Sequence, residues 1–594
     1  MPAYKAPLDD MRYVLNELFA DQPIHQLPGC EETTPDLVDA VLEEAGKICA
    51  TLLFPLNRSG DEEGCHFEDG QVRTPKGFKE AYKAFAEGGW TSLACAQEHG
   101  GQGLPESVNL MVEEMICSAN LSFGIYPGLS RGAYSAIKTF GADALKQIYL
   151  PRLADGSWTG SMCLTEPQSG TDLGLVRTKA EPQGDGSYVI TGTKIFISSG
   201  EHDLTDNIVH LVLARVPGAP QGIRGISLFL TPKRKVNADG SLGEANAVAC
   251  GSIEHKMGIK ASATCVLNFD GAVGYLVGEL NKGMRAMFVM MNMARLSVGV
   301  QGLGVAEAAY QGAVAYARER LQGRALAGPR YPDKPADPLI VHPDIRRMLL
   351  TMRANIEGCR ALAGWTARNM DIMERHADPE ERRKAEDLVA LLTPIVKAHL
   401  TDMGFEAANL GVQVYGGHGY IRENGMEQYV RDARITQIYE GANGIQALDL
   451  VGRKLGAHTG RYLRSFFHPV AAFIEAHQGD GAMEEFIGPL AKSFSRLQLA
   501  TGRIAQKGLA DPEEAAAAAT DYLKLFALTA LAYVWAMMAK SASAKADNDP
   551  TGFYKNKTAT ARFFMQRLLP QTGGLLSAIM SGKSAVMDFD EEAF

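Results

Sequence analysis

Apolar residues in this chain recur in two rhythms, and each change of rhythm predicts a change of architecture. From about residue 34 the spacing is helical, with Leu37, Val38, Val41, Leu42 and Ala45 on one face. Thr34-Pro35-Asp36 gives that helix an N-cap, a proline at its first position and an acid in its first turn. Helical stretches follow to about residue 160. The texture then turns to short β-rich runs at 186–190, 194–198, 208–213, 225–230 and 265–269, broken by Gly, Pro and Asp. Helical spacing returns at Met284, Met287, Phe288 and Met291, a stripe that reads as core. It persists to about 460, with the proline-rich segment 328–343 joining two helices. The section 461–594 is helical again, including an alanine-rich run at 515–519. Its apolar run 525–539 is too short for the roughly 30 Å hydrocarbon core and reads as a buried helix. The pattern predicts a mainly α protein with a central β-domain, divided at 1–162, 163–280, 281–460 and 461–594.

Composition narrows the function classes. A length of 594 residues allows several domains. With 46% hydrophobic and 22% charged residues and a mean hydropathy of -0.10, the chain falls among soluble globular proteins. A net charge of -10 speaks against a nucleic-acid partner, and 461–594 is neutral, with 14 basic and 14 acidic residues. Nine cysteines occur without a CxxC pair or zinc-like spacing, so reduced, buried thiols, no metal and a cytoplasmic location are expected. The first ten residues hold no apolar secretory segment, and no integral membrane contact is expected.

Candidate chemistry begins at Glu440, set between Tyr439 and Gly441 in Tyr439-Glu440-Gly441-Ala442-Asn443-Gly444. A carboxylate beside an aromatic ring and a flexible glycine suits a base that must approach a C–H bond, and poor solvation raises its pKa. A glycine-containing helix start beside it offers N–H groups to phosphates. Upstream, Gln413-Val414-Tyr415-Gly416-Gly417-His418-Gly419-Tyr420 lets backbone approach a ligand closely. A Glu-Gly step alone is most often a plain turn. The two motifs together at this spacing carry the signal.

Further motifs complete a set. Cys163-Leu164-Thr165-Glu166-Pro167-Gln168-Ser169-Gly170-Thr171-Asp172, Lys194-Ile195-Phe196-Ile197-Ser198, Ala294-Arg295-Leu296 and Arg318-Glu319-Arg320-Leu321-Gln322-Gly323 occur in that order before Glu440. In order and content the chain resembles the acyl-CoA dehydrogenase family over roughly residues 80–455. The nearest likeness is to its large bacterial subclass with a C-terminal helical extension, which includes fatty acyl-CoA and 3-(methylthio)propanoyl-CoA dehydrogenases. The resemblance implies a helical N-domain, a β-barrel-like middle domain, a four-helix-bundle domain and the extension. It implies FAD as cofactor, held by Met162, Leu164, Thr165, Gly170, Thr171, Phe196, Ile197, Ser198, Ala442 and Asn443. Arg320, Gln413, Gly416 and Gly417 resemble residues that reach the flavin of a neighbouring subunit, so a homodimer or larger assembly is implied. The family's usual Arg-x-x-Phe-Gly is here Arg320-Leu321-Gln322-Gly323, without the phenylalanine. Thr171, Arg295, Tyr439 and Gly441 are implied at the substrate.

Glu440 matches the family's catalytic carboxylate. Some members carry that base on the long helix instead, where this chain has Ala294. The implied reaction is α,β-dehydrogenation of an acyl-CoA thioester to the trans-2-enoyl-CoA, with electrons passed to electron-transfer flavoprotein. Oxyanion-type stabilisation of the enolate would come from the Glu440 N–H and the flavin's ribityl hydroxyl. A medium- to long-chain fatty acyl-CoA of β-oxidation is the expected substrate, with 3-(methylthio)propanoyl-CoA as the alternative. An acyl-CoA oxidase remains open, and a DNA-associated relative is disfavoured by the charge balance.

Overall fold

The computed structural model describes residues 4–594. The described residues divide into two compact units, one of 4–46, 105–118 and 298–594, the other of 47–104 and 119–297.

Among the described residues, every strand lies in the second unit. A small hairpin, β1 (His66–Glu68) and β2 (Gln71–Arg73), precedes a seven-stranded sheet. The sheet is built from β3 (Trp158–Cys163), β4 (Lys179–Pro182), β5 (Tyr188–Ser198), β6 (Asn207–Ala214) and β7 (Ser227–Pro232), with β10 (Val248–Ile253) and β11 (Thr264–Val277). A second hairpin, β8 (Arg234–Val236) with β9 (Leu242–Ala245), lies between. The order is β3-β6-β7-β11-β5-β4 with β10 on β11, and only β3 and β6 run parallel. The predicted runs 186–190 and 194–198 are one strand, β5, which passes Gly192 without ending. β1, β2, β3, β4, β8, β9 and β10 escape the sequence pattern. β3 opens the sheet at Trp158, ahead of the expected boundary at 163, because its Thr-Gly-Ser centre is small and polar although nearly every residue is buried. Met287 and Met290 are fully buried in the core beneath this sheet, with Met284 and Met291 packed against it, so the methionine stripe is core.

The first unit is helical. Pro35–Ile48 starts as expected, with Leu37 N–H on the Thr34 hydroxyl at 3.3 Å. Val38, Leu42 and Ala45 are buried, whereas Leu37 is exposed, one residue off the buried stripe. Pro343–Arg375 and Pro379–Tyr415 pack together, as do Glu484–Ala510 and Pro512–Ser543. The last of these corrects the expectation drawn from 525–539: at 32 residues it is long and apolar enough to cross a bilayer. Burial decides otherwise, since 89% of its most apolar window lies inside the protein. The loop after the long helix Gly283–Glu319 is organised by Asp337, whose carboxylate accepts from the N–H groups of Ala325, Arg330 and Tyr331.

Candidate active site

The candidate residues divide between the two units. In the sheet unit they gather around β5 and the loop after β3. Two residues of β5, Ile195 and Phe196, oppose the single Val266 of β11, because Ile197 pairs with Cys265 and Lys194 with Leu267. This β-bulge breaks the strand's alternation. Strict alternation would set Lys194, Phe196 and Ser198 on one face. Instead Lys194 is fully buried and Phe196 is 59% exposed, its backbone in the left-handed region at φ 57°. A bulky residue there is strained, and the strain turns an aromatic ring outward.

The loop after β3 is fastened from behind. Lys194 Nζ donates to the Leu164 carbonyl at 3.0 Å and to Glu166 Oε1 at 2.8 Å, and Ile195 N–H donates to the Thr165 carbonyl at 2.9 Å. Glu166, also buried, accepts from the Thr178 hydroxyl at 2.6 Å and from the N–H groups of Thr178 and Arg177 at 3.0 and 2.7 Å. Burial pushes its carboxyl upward, but Lys194 and these donors outweigh burial and hold it down to about 2. Burial lowers Lys194 against the raising effect of Glu166. Facing outward, the Thr165 N–H and the hydroxyls of Thr165, Thr171 and Ser198 make no hydrogen bond among the described residues. A protruding aromatic face with unspent polar groups beside it fits a flat heteroaromatic ring with polar edges, as a flavin has. Gly170 has open space where a Cβ would sit, and Thr171 is exposed. Ile197 is buried in the sheet core, so only its main chain could meet a ligand. Met162 and Leu164 pack against the other core cluster, and Arg295 is buried in its helix.

In the helical unit, Glu440 lies half-buried between the helices Met426–Thr436 and Asn443–Asp449. Its φ is 57°, and that of Gly441 is 86°. The sequence points to a flexible glycine beside the carboxylate; the structure gives the catalytic candidate a left-handed backbone as well. Fully buried Gln446 holds this shape, its Nε2 donating to the carbonyls of Glu440 and Gly441 at 3.2 and 3.1 Å. The Tyr439 hydroxyl donates to Gln301, which fixes the neighbouring ring. Burial first, then Cys117, Glu440 and Asp432, raise the Tyr439 phenol well above its usual value, so it stays protonated. Ala442 is the N-cap residue of the following helix. Asn443 is spent internally: Lys397 Nζ donates to its Oδ1 at 2.9 Å, and its Nδ2 donates to Thr401 and Asp402 at 2.9 and 2.7 Å. Any ligand contact from Asn443 is therefore left to its main chain.

Arg320, Gln413, Gly416 and Gly417 are all exposed in this unit. Gly416 takes φ 60°, with open space around it and around Gly417. Beside them Tyr316 stacks on Tyr415 at 4.1 Å and donates to or accepts from His418 Nδ1 at 2.7 Å, and Tyr420 is exposed. Sequence reasoning missed Lys194, Glu166 and Gln446. A lysine inside a β-rich run is the signal that could have found the first, since strands are depleted in lysine.

Comparison with known proteins covers nearly the whole chain. Residues 39–157, 161–272 and 281–455 match the N-terminal, middle and C-terminal domain models of acyl-CoA dehydrogenases, and 466–590 match an acetyl-CoA dehydrogenase C-terminal-like model. A 3-methylmercaptopropionyl-CoA dehydrogenase of Ruegeria pomeroyi is 44% identical over 95% of this chain and 96% of its own length. A broad-specificity linear acyl-CoA dehydrogenase of Mycobacterium tuberculosis is 33% identical, covering 88% of each chain. The structure of an acyl-CoA dehydrogenase complexed with FAD from Bacillus anthracis superposes with a TM-score of 0.74, covering 99% of this chain and 93% of that one. Its identity of 22% makes that likeness one of fold.

Proposed function

The chain belongs to the acyl-CoA dehydrogenase family, and we propose that it oxidises a short linear acyl-CoA, 3-(methylthio)propanoyl-CoA being the preferred substrate, with Glu440 as base. It is an oxidoreductase acting on acyl-CoA thioesters. FAD, the cofactor, supplies the acceptor for the hydride that leaves the β-carbon. The chain's own residues do the rest. Glu440 removes the α-proton, and its carboxyl keeps that proton as the α,β double bond forms. The Glu440 N–H stabilises negative charge developing on the thioester oxygen. Gln446, through the two carbonyls, and Gln301, through Tyr439, keep the carboxylate's loop from relaxing. Phe196 would back the ring of the cofactor, and Thr165, Thr171 and Ser198 would offer it hydrogen bonds.

One observation carries the assignment of the base: Glu440 is held at a strained φ of 57° by a fully buried glutamine. Such strain persists where the surrounding structure enforces it, and it gathers at active sites. The 44% relative supports the methylthio substrate. The 33% relative supports a second reading, linear fatty acyl-CoA of medium to long chain. Electron-transfer flavoprotein is the proposed acceptor, and a homodimer completed through Arg320 and Gln413 is the proposed assembly. Two measurements test this. Anaerobic bleaching of the flavin band, from butanoyl- to stearoyl-CoA with the methylthio compound included, ranks the substrates. Stopped-flow flavin reduction then compares wild type with Glu440→Gln. The amide keeps the shape and the N–H but cannot take the proton, so the rate should fall by more than the roughly 10² to 10⁴ of general-base catalysis alone. A fall within tenfold overturns Glu440 as base.

A further inference from the structure

We infer that Lys194 is a positioning residue for the flavin: it anchors the Leu164–Thr165 peptide, and Glu166 serves as its counter-ion. The inference rests on the functional reading above. Its argument is geometric. The ammonium is wholly buried and has two partners, the Leu164 carbonyl at 3.0 Å and Glu166 Oε1 at 2.8 Å. The Leu164 carbonyl belongs to the same peptide plane as the Thr165 N–H, which has no acceptor among the described residues. The next plane is tied at its own carbonyl by Ile195 N–H at 2.9 Å. Both planes flanking Thr165 are thus fixed on the protein side, and its two donors form the free edge of the loop.

A cation hydrogen-bonded to a carbonyl also polarises that peptide, which makes the opposite N–H a better donor to an electron-rich ring edge. Ile195 directly precedes Phe196 in the bulge, so one set of bonds fixes both the hydrogen-bonding edge and the aromatic backing. Fold stability alone does not call for this pair. Buried ion pairs are often replaceable by apolar residues of similar volume without loss. Strands also disfavour lysine. What an apolar pair could not do is hold the Leu164 carbonyl.

The test uses the full-length holoenzyme and three variants: Lys194→Met, Glu166→Gln, and the two combined. Unfolding is followed by far-UV circular dichroism. The FAD dissociation constant is read from flavin fluorescence on dilution, and the ring's surroundings from the fine structure of the visible band. Lys194→Met leaves Glu166 buried and unpaired, so both folding and FAD affinity should fall. In the double variant neither group is charged, and folding should recover towards wild type. Its FAD affinity should stay about tenfold or more below wild type, as for the loss of one charge-assisted hydrogen bond, with an altered visible band. Glu166→Gln keeps the Lys194 bond to Leu164, so it should lose folding stability while binding FAD within about threefold of wild type. Recovery of FAD affinity in step with stability in the double variant overturns the inference. So does a loss in Glu166→Gln equal to that in Lys194→Met, which remains measurable if the Lys194 variants fail to fold. A wild-type protein that folds but takes up no FAD overturns the functional reading itself, and this inference with it.

Discussion

Two buried charge clusters, one in each unit, use similar groups to opposite ends. In the sheet unit a single pair, Lys194 and Glu166, leaves the outward donors of Thr165 unspent. In the helical unit Arg360 binds Glu114 at 2.5 Å, Glu307 at 2.6 Å and Asp10, while Lys557 binds Glu357 at 2.5 Å and the same Asp10. Arg353 adds a bond to Glu357 at 2.7 Å. Three cations meet four carboxylates, and nearly every charge is turned inward. The rings of Phe553, Tyr13 and Trp535 surround Lys557 Nζ at 5.2, 5.5 and 5.9 Å. Asp10 and Lys557 lie 547 residues apart in sequence, so this cluster stitches the start of the described chain to its C-terminal extension. On the proposed reading, the pair that leaves donors over serves a ligand, and the cluster that consumes its charges internally serves the fold.

The largest expected effect comes from breaking that contrast on the helical side. Lys557→Met keeps the volume but leaves Asp10 and Glu357 short of a cation. Removing one partner of a buried ion pair costs about 3 to 5 kcal/mol. A cavity of about 670 Å³ reaches Asp10, Glu357 and Phe553, and water entering there should keep the loss near the lower figure. Denaturant unfolding should register it. FAD content per folded molecule should match wild type, in contrast to Lys194→Met, and a variant that loses flavin while folded would erase the distinction.

The two clusters should also respond to pH in opposite directions, with effects of up to about 3 kcal/mol each. Glu114 is pushed up to about 7, by burial first and only partly offset by Arg360. Its folded value lies above its ordinary 4.5. Its contribution is therefore complete below about pH 4.5 and lost as pH rises through about 7. Glu166, held down to about 2, contributes fully above about 4.5 and loses its effect as pH falls towards 2. Unfolding midpoints between about pH 3 and pH 8 should show Glu114→Gln flattening the neutral side of the profile and Glu166→Gln the acid side. A single variant that flattens both would show that the clusters titrate as one.

The division between what the chain's pattern revealed and what it hid follows the same line. Local signals were legible: the Thr34 cap, the buried strand Asn207–Ala214, and Glu440 with its glycine. Each depends on neighbours in sequence. The bulge at Phe196 was not legible, because it exists only against Val266 of another strand. Nor was the seven-membered charge cluster, whose members come from five distant segments and are each ordinary alone. Lys194 gave no local sign of its role, because its partners Leu164 and Glu166 lie about 30 residues upstream.

The smallest expected effect isolates the strain that the flavin side carries and the helical cluster lacks. At a φ of 57°, a residue with a Cβ costs about 1 to 2 kcal/mol that glycine avoids. Phe196 is 59% exposed, so removing its ring sacrifices little packing. Phe196→Ala keeps the strain and loses the ring; Phe196→Gly loses both. Glycine gives back about 0.5 to 1 kcal/mol through the greater freedom of its unfolded chain. Phe196→Gly should then be more stable than Phe196→Ala by up to about 1 kcal/mol, the reverse of their order at an ordinary strand position. Both should hold FAD less tightly than wild type, since the aromatic backing is gone. Unfolding midpoints of the two variants, compared with their FAD dissociation constants, decide the matter. If alanine proves the more stable, the backbone at Phe196 is unstrained in solution. The outward-turned ring would then reflect the bulge alone, without a conformational cost maintained for function.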